Sequence, residues 1–407
     1  MARTRTRPDI TIAYITHVNA QDRTIFSGTP YYVSYYLDTW CGNVKYIDNL
    51  IPDRMTPGYL LKNFFGNRAL LLMFEIFKSK LLALFGKQAD WRMSRIAARH
   101  CARQIKPRLD AIKCDLIWVE KSCVSLRYLA TDIPIIYESD ATFQAMVGYY
   151  PWFSNLTKNA LLVGNEIERS ALQKAAAVAL TADWAKESAI NDYGIEPDKI
   201  HILPSPPNWD KQPDRKSVLK EKPSDVCNFL FVGVDWLRKG GDIAFTAVEH
   251  LNRTGVNAKL TVCGCTPPEN IAAKSFVDVI GYLDKNNKND LVEWERLFHE
   301  ANFFFLPTRA ECMGISFSEA MAFGLPLLAT DTGGVSTVVK HELNGLLFSY
   351  DENPETMAHR IADLWNDRKK YRSMRIESRR FFDEHISGEA WAKVVNGIIS
   401  KITNDLE

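Results

Sequence analysis

The chain lacks an excess of charge of either sign: 50 Lys and Arg stand against 49 Asp and Glu, so no global field favours a nucleic-acid partner. It lacks the uninterrupted apolar run of about 20 residues that a membrane-spanning helix needs. Its greasiest stretch, from Tyr59 to Phe85, is broken by Lys62, Arg68, Glu75, Lys78 and Lys80. A secretory leader would need an apolar core after the basic start Arg3-Thr4-Arg5-Thr6-Arg7, and Pro8-Asp9 stands there instead, so the expectation is a cytoplasmic protein. A disulfide framework is missing too. The eight cysteines are scattered, and the one close pair, Cys263-Gly264-Cys265, has no second pair to complete a zinc site. Buried reduced thiols are expected, and a structural metal is not.

What the chain does have is material for two cores: 407 residues, 46% of them hydrophobic. Short β-branched or aromatic runs alternate with helical segments, the pattern of parallel α/β sheets. The pattern predicts strands over 10–15, 116–119, 135–137, 178–181 and 200–203. Then comes Pro204-Ser205-Pro206-Pro207, the stretch most like a linker, with Pro213 and Pro223 further on. The alternation restarts with strands over 229–232, 260–263, 277–280, 303–306 and 327–329, and helix starts at Asn353-Pro354 and Ser387. Domains over 1–206 and 207–385 follow. Ligands of such sheets bind beyond the carboxyl ends of the strands, and two facing sheets predict a central cleft as the active site.

In the broken greasy stretch, Leu70, Met73, Phe74, Phe77, Leu81, Leu84 and Phe85 recur at helical spacing. An amphipathic helix packed on its own domain is the first expectation. A basic, aromatic helix in the 59–86 segment lying on a membrane surface is the second.

The strongest local pattern runs from Pro307 to Pro326. A strand feeds a loop, and the loop feeds a helix expected to start near Ile315 and end at Phe323, with Gly324 as left-handed cap and Pro326 barring continuation. The helix start offers unpaired N–H groups and a positive dipole end, which suit a phosphate, and Gly314 lets backbone approach a ligand. Glu311 and Glu319, with seven residues between them, sit in the loop and two turns into the helix. A carboxylate accepts from two vicinal hydroxyls, so one suits a sugar and the other a ribose; as bare spacing they are equally two solvated glutamates.

A second constellation follows the 229–232 strand: Gly233, then Arg238-Lys239-Gly240-Gly241. Adjacent cations at a strand's carboxyl end are placed to hold a diphosphate, Arg as a planar fork and Lys as a point charge. Near the amino end, His17 and Ser27-Gly28-Thr29-Pro30 follow the first strand, with Thr29 expected as N-cap and Pro30 as first helical residue. A third loop, Glu138-Ser139-Asp140, reads either as a divalent-metal pair or, as favoured here, as Asp140 facing a ligand. The aromatic cluster Tyr149-Tyr150-Pro151-Trp152-Phe153 is either a saccharide platform or a packed loop.

Together these residues resemble the retaining GT-B glycosyltransferases of family 4. The Glu-x7-Glu element, Glu319-Ala320-Met321-Ala322-Phe323-Gly324-Leu325-Pro326, Ala329-Thr330-Asp331-Thr332-Gly333-Gly334, and Gly233 with Arg238-Lys239-Gly240 carry the likeness, which is tight over roughly 228–350. The resemblance implies two Rossmann-like domains facing a cleft, with a terminal helix in 386–407 crossing back onto the first. It implies that Glu311 holds the donor sugar and Glu319 the ribose. Arg238 and Lys239 would hold the diphosphate, aided by N–H groups near Met313, Gly314 and Ile315. Gly28 would face the diphosphate, and Gly281-Tyr282 would bind the base. Three positions depart from the family: Asp140-Ala141 where His-Asp is usual, Ser205-Pro206 for Asn-Gly, and Cys312 for Gly.

The function so implied is transfer of a hexose from a nucleoside-diphosphate sugar, UDP-glucose for example, to a saccharide or lipid-linked acceptor, with no cofactor and no metal. The catalytic set would be Asp140, Glu311, Arg238 and Lys239. A nucleotide-sugar epimerase, or a sugar-nucleotide-binding protein without turnover, are the rival readings.

Overall fold

A computed structural model of the chain describes residues 9–51, 67–220 and 225–404. They form two compact units, one of residues 9–25, 33–51, 67–203 and 392–404, the other of residues 26–32, 204–220 and 225–391. Each is built on a six-stranded, wholly parallel sheet.

The first sheet comprises β1 (Thr11–Ile15), β2 (Asn43–Ile47), β3 (Leu116–Glu120), β4 (Ile135–Ser139), β5 (Ala177–Leu180) and β6 (Ile200–Ile202) in the order β2-β1-β3-β4-β5-β6. The connecting helices include α1 (Thr29–Trp40), α2 (Asn67–Leu84), α3 (Arg95–Asp110), α4 (Lys158–Lys174) and α5 (Asp183–Asn191). β3 and β4 are buried along their whole length, as central strands covered on both faces must be. Both run further than their apolar residues suggest, because Glu120 and Glu138 are themselves in the sheet and buried.

In the second unit β7 (Cys227–Val232), β8 (Ala258–Cys263), β9 (Val277–Gly281), β10 (Phe303–Leu306), β11 (Leu327–Thr330) and β12 (Gly345–Phe348) lie in the order β12-β11-β10-β7-β8-β9. Its main helices are α6 (Gly241–Arg253), α7 (Lys288–Glu300), α8 (Ile315–Ala322), α9 (Pro354–Asn366) and α10 (Arg368–Phe381). Phenylalanines fill the core: Phe229 stacks on Phe303 with centroids 5.5 Å apart, and Trp209, from the chain just past the prolines, packs on Phe323 at 5.4 Å. The last helix, α11 (Gly388–Asn404), belongs with the first unit from Ala392 onward, where Asn396 donates to the Trp40 carbonyl at 3.2 Å.

Four expectations need correction. β2 and β12 were not foreseen: β2 is an edge strand with three of five residues exposed, so it shows no apolar run, and β12 is only four residues opened by a glycine. Thr29 is not an N-cap, since it is already helical and its hydroxyl donates backwards to the Phe26 carbonyl at 2.9 Å. The greasy helix, α2 within the described residues, does not turn its apolar stripe inward. Met73, Phe74, Phe77, Leu81, Leu84 and Phe85 are exposed, while Leu72 is buried. The part of that segment from 59 to 66 lies outside the described residues.

The first unit buries a carboxyl group that the site does not use. Glu168 on α4 accepts from the Tyr137 hydroxyl at 3.1 Å, and burial pushes its pKa up to about 7 against the weaker pull of its hydrogen bonds from Cys123 and Tyr137. Between the ordinary carboxylate range and about 7 the folded state therefore holds a proton that the unfolded chain has lost, so stability falls as pH rises through that window. Replacing Glu168 with Gln should flatten that decline, making the variant more stable than wild type above neutral pH by on the order of 3 kcal/mol. Urea midpoints across the pH range check this; parallel pH profiles for the two proteins would refute it.

Candidate functional site

In the second sheet the strand order reverses between β7 and β10, because the chain winds outward from β7 to β9 and then returns to its other side. At such a reversal the connections from neighbouring strands leave on opposite faces, opening a crevice at their carboxyl ends. The loops from these two strands carry the two strongest sequence motifs.

After β7, Gly233 takes the approach of Lys239: a Cβ there would lie 2.8 Å from the lysine Cγ. The turn is held by Asp235, whose carboxylate and carbonyl accept from the N–H groups of Arg238 and Lys239, both at 3.0 Å. It ends in Gly240, whose φ of 77° and 1.9 Å separation between a built Cβ and the Pro307 carbonyl admit no side chain. This turn is stapled to the loop after β10. Arg309 N–H donates to the Arg238 carbonyl at 2.7 Å, Arg238 donates to the Ala310 carbonyl at 2.9 Å, and Arg309 grips Asp242 through two bonds of 2.8 and 2.7 Å.

The result is a compact charge cluster. Glu311 pairs with Lys239, and Arg238 Nη1 stands 3.9 Å from the same carboxylate oxygen. All three side chains are only 12–14% exposed, so their charges act in a partly desolvated setting. Gly334 N–H donates to the Glu311 carbonyl at 3.2 Å, tying in the Thr332-Gly333-Gly334 turn. α8 begins at Ile315 and its chain turns left-handed at Gly324, as the sequence indicates. The N–H groups of Met313, Gly314 and Ile315 find no acceptor among the described residues. Two cations and a helix N-terminus thus converge where an anion of two phosphates would fit.

Glu319 lies deeper on α8 and is buried. Its partner is Lys285, at 2.5 Å from Oε1. Burial raises the Glu319 pKa, and the lysine pulls against that rise. Gly281 ends β9, and its carbonyl accepts from Gly264 N–H at 2.7 Å, leaving the Tyr282 side chain exposed. Gly28 clusters with this unit; the neighbouring Ser27 carbonyl accepts from Asn208 at 2.7 Å, and Phe26 and Ser27 take positive φ angles of 47° and 60°.

Asp140 lies in the other unit, one residue past β4. Its carboxylate does not cap the turn that follows, where Thr142 accepts from Ala145 N–H instead; it pairs with Lys121 at 2.9 Å. Lys121 itself has a φ of 47° and stands 3.8 Å from Glu120, which takes a bond from Thr16. Glu138, the other half of the acidic triplet, is buried and accepts from Trp118 at 3.0 Å. Glu138 is thus taken up inside the sheet, while Asp140, just past the end of the strand, stays partly exposed. Burial first, then the charge of Glu120, pushes Glu138 up, and burial likewise raises Glu120 although Lys121 opposes it.

Sequence reasoning missed Lys121, Lys285 and the Arg309–Asp242 clasp. Lys121 directly follows a strand, which was a usable signal; the other two show only in the fold.

Residues 211–381 match the family described as Glycosyl transferases group 1. Among relatives, D-inositol 3-phosphate glycosyltransferase of Xylanimonas cellulosilytica is 28% identical over 225 residues, 51% of this chain and 53% of that protein. The chain spans about half the length of the relatives it matches in sequence. Among solved structures, sucrose-phosphate synthase of Thermosynechococcus elongatus superimposes with a TM-score of 0.66 at 16% identity, covering 97% of this chain and 100% of that one. Anabaena Alr3699/HepE in complex with UDP-glucose superimposes with a TM-score of 0.57 at 14% identity, with coverage of 97% and 100%. The chain thus has the two-domain, Rossmann-like GT-B fold, and its residues 211–381 are similar to the group 1 glycosyl transferases.

Proposed function

We propose that the chain is a retaining glycosyltransferase that moves a hexose from a UDP-sugar, UDP-glucose for example, to a hydroxyl of a saccharide or lipid-linked acceptor, without a divalent metal. The observation that carries this reading is the cluster of Arg238, Lys239 and Glu311 beside the start of α8 at the strand-order reversal. Arg238, Lys239 and the N–H groups of Met313, Gly314 and Ile315 receive the diphosphate. Glu311, released from Lys239 as the phosphates arrive, accepts from hydroxyls of the sugar, and Glu319 accepts from the ribose. The base lies along Gly281-Tyr282, and the Gly233 and Gly28 loops give the phosphates room. UDP is chosen because Alr3699/HepE, which shares the fold, binds UDP-glucose.

The acceptor oxygen bonds to the anomeric carbon on the leaving-group face as the bond from that carbon to the phosphate oxygen breaks. The acceptor proton passes to the departing phosphate. Catalysis then rests on positioning and on stabilising the leaving diphosphate, the work of Arg238 and Lys239. Asp140 favours positive charge developing on the sugar ring.

Incubation with UDP-hexoses and no acceptor, in EDTA, should release free sugar slowly; isomerised donor would mark an epimerase, and binding without turnover a non-catalytic protein. Arg238→Ala and Lys239→Ala should each lower turnover roughly 10- to 100-fold, the cost of a charge-assisted contact in a partly buried site. By calorimetry, Glu319→Ala should weaken UDP binding, while Glu311→Ala and Asp140→Asn keep it and lose transfer. Full turnover in both cation variants would remove the clamp.

A lipid-linked acceptor is favoured by α2, whose exposed stripe carries Phe74, Phe77, Leu81 and Leu84 beside the exposed Lys80 and the half-buried Lys78. Phe77→Glu with Leu81→Glu should abolish sedimentation with vesicles containing anionic phospholipid and leave UDP affinity intact. Equal sedimentation of wild type and variant would dismiss the contact.

A further inference from the structure

Glu319 poses a problem that the proposed function does not resolve. It is 1% exposed, and a carboxyl group so buried tends to keep its proton. A protonated acid has lost half its value to a ligand with two hydroxyl donors, because only a carboxylate is acceptor at every lone pair. Something must hold the charge on Glu319 in place.

Lys285 stands in the loop after β9, on a different strand connection from Glu319, and is itself only 8% exposed. Its Nζ lies 2.5 Å from Glu319 Oε1 and 4.4 Å from the centroid of the buried Trp294 ring. The ring face attracts the ammonium and fixes its height, and Trp294 is in turn held against Trp209 and Phe298 with centroids at 6.5 and 5.5 Å. The lysine therefore has two partners that agree on one position. It takes up Oε1 alone, and Oε2 has no hydrogen-bond partner among the described residues. The loop that carries Lys285 starts at Gly281-Tyr282, so the same short segment that would meet the base also sets the acid.

We propose that Lys285 is a positioning residue: it keeps Glu319 ionised and turned so that Oε2 meets the hydroxyls of a nucleoside diphosphate, while touching none of that ligand itself. The proposal rests on the ribose role given to Glu319 above. Lys285 thereby makes nucleotide affinity insensitive to pH across the neutral range. Without it, burial acts unopposed and drives the Glu319 pKa higher still.

UDP binding by isothermal calorimetry on the full chain, from about pH 6 to about pH 9, tests this. For Lys285→Met, affinity near pH 6 should be about ten-fold below wild type or worse, and the ratio to wild type should recover as pH rises and Glu319 loses its proton. Lys285→Arg should restore most of the affinity and the flat ratio. A merely structural lysine would give a loss with no pH dependence, and that result overturns the proposal. Should Lys285→Met melt too readily, Glu319→Gln and the double variant Lys285→Met/Glu319→Gln decide instead, since neither leaves an unpaired buried acid. Those two should bind UDP equally at every pH; a further loss in the double variant means that Lys285 contacts the ligand directly and sinks the idea. Failure of the wild-type chain to bind UDP, GDP or ADP would overturn the proposed function and this inference together. Binding that Lys285→Met leaves unchanged overturns this inference alone.

Discussion

The reversal of strand order between β7 and β10 is the constraint on which the candidate site depends. In a parallel sheet every strand delivers its carboxyl end to the same edge, but only at a reversal do two adjacent connections part and leave their strand ends open. Arg238 and Lys239 come from one of these connections, Glu311 and the start of α8 from the other, 72 residues further on. Neither loop is placed by its own sequence. Their closeness follows from β7 pairing with β10, and it is then secured by Arg309, which ties Asp242 and the Arg238 carbonyl to the second loop. The first sheet has its own reversal, between β1 and β3, and there too polar residues gather: Thr16 bonds Glu120, and Lys121 follows directly.

How much of this was legible in the sequence depended on whether a feature is written locally. Phe303–Leu306 is a solid apolar run and was readable to the residue. α8 was readable because its ends are punctuated, by Gly314 before it and by Gly324 with its positive φ after it. β2 was hidden because, at the edge of the sheet, only Val44 and Ile47 of its five residues are buried, which leaves no apolar run. Thr29 misled because a Thr-Pro pair suits a helix start, yet the left-handed turn through Phe26 and Ser27 brings the Phe26 carbonyl within reach of its hydroxyl, which donates there instead of capping.

The site residues follow the same division. Glu311, Glu319, Arg238 and Lys239 stood out because each sits at a fixed offset from a strand and a glycine. Lys285 did not, because nothing near it in sequence explains a buried lysine; its partner is 34 residues away on another element. Asp140 was visible, but its neighbour Lys121 was not weighed, and with that lysine the local argument changes. A carboxylate expected to act alone or to cap a turn is instead half of an ion pair with a lysine held at positive φ.

That pair also determines which acid of the first unit is offered outward. One lysine faces three carboxyl groups, and they cannot all be served. Lys121 lies 2.9 Å from Asp140 and 3.8 Å from Glu120, so its charge goes chiefly to Asp140. Glu120 and Glu138 are wholly buried, and burial drives both upward against the pull of Lys121, helped at Glu138 by the charge of Glu120 and at Glu120 by that of Asp140. Three facing carboxyl groups in turn hold the lysine firmly protonated, against the burial that would lower it. Asp140, 40% exposed and paired to the lysine, is left as the carboxylate that can meet a ligand. An asparagine at 140 would therefore change more than one hydrogen bond. It would free Lys121 to turn to Glu120 and lower the pKa that burial raises to about 7, so part of the charge lost at the surface would reappear inside the sheet.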